Sequence, residues 1–65
     1  MGNKKYPNVY EQIQSYYTLI AQDFTIPNPE QFVERCVRNR YRDACKLIGS
    51  GNHSVAEVLS WYPLD

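Results

Sequence analysis

The sequence predicts an all-α fold: a small three-helix domain, orthogonal or bundled, with short turns. Three observations predict it. Apolar residues recur at helical spacing in three segments. Each segment opens on a residue or pattern that starts helices. Turns containing proline or glycine separate the segments. The 65 residues make one domain, residues 1–65, with helices expected at about 8–23, 29–48 and 54–62.

The first helix is read from NVYEQIQSYYTLIAQD. Val9, Ile13, Tyr16 and Ile20 fall at helical spacing, and Tyr10, Tyr17, Ala21 and Phe24 widen that face. Asn8, after Pro7, is the expected cap. The turn TIPNP follows, and its two prolines exclude helix there.

The second helix opens on NPEQ. Asn28 is the expected cap, and Pro29 takes the first helical position, where its missing N–H costs nothing. Gln31 is placed to close a capping box, and Glu30 suits the positive helix end. At about 100° per residue, Val33, Val37, Tyr41, Ala44 and Ile48 fall within roughly 80° and form the core side. Arg35, Arg38, Arg42 and Lys46 fill another arc of about 80° on nearly the opposite face. Arg40 departs from that stripe and lies beside the core arc. Either its apolar stem covers the core edge while the guanidinium reaches water, or it pairs with a carboxylate from another helix or subunit. Phe32 also leaves the core arc. It either packs on Ile26 and Pro27 or marks an interface.

Gly49 and Gly51 end the second helix. The third is short. Ser54 and Glu57 have capping-box spacing, Val55, Val58, Leu59 and Tyr62 form one apolar side, and Pro63 ends it. So short a helix is marginal alone and must dock on the other two.

Several function classes are disfavoured. A chain this short buries only about 60% of its unfolded surface, which leaves little to wall a catalytic pocket. No nucleophile, base and orienting group stand in a recognisable pattern, so no enzyme activity, cofactor or small-molecule substrate is expected. Cys36 and Cys45 would lie on opposite sides of the second helix and about 13 Å apart along it. They cannot bridge within one helix or share a metal, and His53 is the only histidine. No apolar run approaches the roughly 18 residues of a membrane span. Two cysteines and no apolar leader give a cytoplasmic expectation.

Seven basic residues balance seven acidic ones, so no whole-molecule attraction to nucleic acid is expected. The aromatic content is the unusual entry, with six tyrosines, two phenylalanines and one tryptophan. That is more aromatic surface than a core of this size encloses. The expected function is therefore a non-enzymatic protein–protein interaction or regulatory accessory domain, bound to a protein partner or self-associated as a homodimer. Its expected contact residues are Tyr10, Tyr17, Phe32, Trp61 and Tyr62. The alternative is a nucleic-acid-binding domain of helix-turn-helix-like geometry that contacts phosphates through Arg35, Arg38, Arg42 and Lys46. The third segment carries no arginine, lysine, asparagine or glutamine to read bases.

Overall fold

The structure is a computed structural model and describes residues 5–64. Among these residues it has three helices and no strand: α1 (Pro7–Asp23), α2 (Pro29–Gly49) and α3 (Val55–Ser60). The all-α expectation holds.

Helix α1 begins one residue earlier than its expected cap. Pro7 takes the first position and Tyr6 is the cap residue, with no side-chain cap bond. Asn8 therefore lies inside the helix. Proline's fixed φ starts the helix without help from a side-chain cap. The Tyr6 carbonyl accepts from the Tyr10 amide, 3.1 Å away. The helix ends in a Schellman motif. The Ile26 amide donates to the Ala21 carbonyl and the Thr25 amide to the Gln22 carbonyl. This leaves Thr25 left-handed, at φ 49°. Phe24, expected on the apolar face, is 73% exposed, because the chain turns away from the core at that residue.

Asn28 does not cap α2 through its side chain. It is left-handed, with φ 54°, and forms no cap bond, so the expected capping box with Gln31 is absent. Its carbonyl still accepts from the Phe32 amide at 3.1 Å. Ser54 does cap α3, accepting from the Glu57 amide at 3.1 Å. Helix α3 is shorter than expected. Trp61 and Tyr62 follow it in a tightened turn whose amides reach back three residues, to Val58 and Leu59.

Helices α1 and α2 run antiparallel. Tyr10 meets Tyr41 near one end, and Tyr17 meets Phe32 and Arg40 further along. Helix α3 docks beside them, and the Gln12 side chain donates to the Tyr62 carbonyl at 2.8 Å. The enclosed core is small: Val9, Ile13, Val37, Ala44 and Val58, with Ala21 buried near the end of α1. The expected α2 core side is correct. Val33, Tyr41 and Ile48 pack half-buried around Val37 and Ala44.

Candidate interaction surface

No tyrosine among the described residues is fully buried. The aromatic rings are too large for a centre built from valine, alanine and one isoleucine, so they line its edge. On that edge Tyr16, Tyr17, Phe32 and Tyr62 form one connected group. Tyr16 meets Tyr17 edge-on with ring centres 5.2 Å apart, and Tyr62 in the same manner at 5.3 Å. Tyr17 continues to Phe32 at 6.2 Å and to Tyr62 at 6.3 Å. These separations lie in the range of favourable ring pairs. All three helical segments contribute to the group.

Arg40 completes it. The Arg40 Nε donates to the Tyr17 hydroxyl at 3.3 Å. The phenol partner was not expected from the sequence, while the guanidinium reaches water as the first of the two readings has it. That hydrogen bond raises the pKa of the guanidinium, and the charge stays exposed beside the rings. Burial pushes the Tyr62 phenol up from its ordinary value.

Three of the expected contact residues, Tyr17, Phe32 and Tyr62, come together here. The other two stand elsewhere. Tyr10 packs edge-on against Tyr41 at 5.3 Å. Trp61 is 43% exposed and meets His53 at 5.2 Å. His53 Nδ1 lies 3.0 Å from a Glu57 carboxylate oxygen, though not aligned for a hydrogen bond. Tyr16 and Arg40 belong to the surface and were not among the expected contacts. The signal for Tyr16 was its adjacency to Tyr17, and for Arg40 its departure from the basic stripe.

The basic residues Arg35, Arg38, Arg42 and Lys46 are all exposed. Among the described residues only Arg38 of the four has an ion-pair partner, Glu34 at 3.4 Å one turn away. Cys36 and Cys45 are free thiols at the core edge. The Tyr41 phenol, raised by burial and by the neighbouring Cys45, accepts from the Tyr6 amide at 3.0 Å. Among the described residues no group of three metal-ligating side chains forms, and no helix is long and apolar enough to cross a membrane.

Protein-family models, curated proteins and solved structures contain no match to this chain. Its own side chains therefore carry the functional reading.

Proposed function

We propose that this protein is a non-enzymatic interaction domain that acts as a regulatory accessory. It buries the Tyr16–Tyr17–Phe32–Tyr62 surface, with Arg40 at its edge, against a protein partner or a second copy. The observation behind the reading is one patch: four touching rings from three segments, none fully buried, beside an exposed arginine. Tyrosine and arginine are among the residue types that dominate binding energy at protein interfaces, tyrosine through large rigid area and arginine through its planar charged fork. Two free thiols suit action in the reducing cytoplasm.

A second reading rests on the exposure of the α2 stripe. In it, Arg35, Arg38, Arg42 and Lys46 contact nucleic-acid phosphates without reading bases. Two pairs of variants separate the readings. Phe32→Asp and Arg40→Glu should abolish self-association or partner binding in sedimentation runs while circular dichroism shows the helices intact. Arg38→Glu and Arg42→Glu should leave it unchanged. Loss of a strongly salt-dependent nucleic-acid affinity on the second pair, with no effect from the first, would favour the stripe.

A further inference from the structure

A second surface lies on the other side of α2. Phe32 is two residues from both Glu30 and Glu34, so about 200° separates it from each around the helix. On the glutamate side, α1 and α2 flank an open groove of about 650 Å³. Its less exposed lining is apolar: Tyr10, Ala21, Ile26, Val33 and Val37. Along α1 the groove runs from Tyr10 to Gln22, about 18 Å at 1.5 Å per residue. That length seats a helix of roughly twelve residues, and the α1–α2 turn extends it.

The rims differ in charge. The α1 rim is neutral, with Gln14, Thr18 and Gln22. The α2 rim carries Glu30 and Glu34, and no lysine or arginine lines the groove. Among the described residues Glu30 has no ion-pair partner. Glu34 reaches only the exposed Arg38, at 3.4 Å. Both carboxylates lie on α2 toward the end of the groove formed by the α1–α2 turn.

We propose that this groove docks an amphipathic helix of a partner protein. That helix carries an apolar stripe flanked by lysine or arginine at the end nearest the α1–α2 turn. The apolar stripe meets Val33, Ile26 and Ala21, and the cations meet Glu30 and Glu34. A second copy supplies no such helix. Helix α1 has no basic residue, the apolar side of α2 is spent on its own core, and α3 has six residues. Phe32 faces away from Glu30 and Glu34 around α2, so the charged rim of the groove is distinct from the aromatic surface.

The test uses two synthetic helical peptides of about fifteen residues with the same leucine stripe, one flanked by arginine and the other by glutamate. Each is titrated into the labelled protein and followed by amide chemical shifts. The arginine peptide should shift Gln14, Ile26 and Val33, and the glutamate peptide should bind about tenfold more weakly or less. The exposed double variant Glu30→Gln, Glu34→Gln should keep its helicity and lose about tenfold in affinity for the arginine peptide. Equal affinity for both peptides, no binding of either, or shifts centred on Tyr17 and Tyr62 would overturn the proposal. Concentration-dependent shifts at the groove without peptide would overturn it too, in favour of a second copy.

Discussion

Ile13 is the largest side chain that the fold encloses completely. Its four-residue spacing from Val9 and Tyr17 made its inward position legible. Truncation leaves a cavity that so small a core cannot collapse around. Ile13→Ala should therefore lower the unfolding free energy by about 3 kcal/mol, a large share of what a domain of this size has. Urea melts followed by circular dichroism measure it. Thr25 gave no such signal. Left-handed backbone after a helix favours glycine, and a β-branched residue there costs roughly 1–2 kcal/mol. Glycine's freedom in the unfolded chain offsets roughly 0.5–1 kcal/mol of that. Thr25→Gly should thus stabilise the protein by roughly 0.5–1 kcal/mol in the same melts. Arg40 was legible as an anomaly but not by its partner, since Tyr17 lies 23 residues away.

At the scale of elements, the three helices and the faces of α2 could be read from apolar spacing, because a 3.6-residue period survives any tertiary arrangement. The cap of α3 was equally legible, since Ser54 lies within a local pattern that closes on itself. Ser54→Ala should cost about 1 kcal/mol. Asn8 lies inside α1, and Asn28 holds the cap position of α2 without a side-chain bond, because proline at the first helical position already fixes each start. The two glycines at the end of α2 differ in a way only the backbone shows. Gly51 has φ 83°, so Gly51→Ala should destabilise by roughly 1–2 kcal/mol although the new methyl meets nothing. Gly49 is helical with the same open space, and Gly49→Ala should stabilise by about 0.5 kcal/mol. Thermal melts of the pair give opposite signs. The register between α1 and α2 was not legible at all. Tyr10 and Tyr17 lie on nearly one side of α1, yet the register places them against Tyr41 and against Phe32. That is why the expected contact residues divide between separate places.

For the whole molecule, the governing fact is that the core is too small for its aromatic residues. The rings consequently sit at the edge, where they support the fold and remain open to contact. Burial raises the pKa of Tyr41 and Tyr62, so the folded state favours the neutral phenols. Their contribution to stability is fully present below the unfolded phenol value of about 10 and is lost as pH rises through the raised folded values. Alkaline titration should show these two tyrosines ionising last, with unfolding following. Normal ionisation of both at constant helicity would show that they carry no such load. The central claim is that the Tyr16–Tyr17–Phe32–Tyr62 surface is a contact face. A photo-crosslinking phenylalanine analogue placed at position 32, with the same analogue at exposed position 31 as control, tests it most directly in the cell. The account predicts a discrete adduct from position 32, of a second copy or one protein partner, and none from position 31. Equal, diffuse labelling from both positions would contradict it.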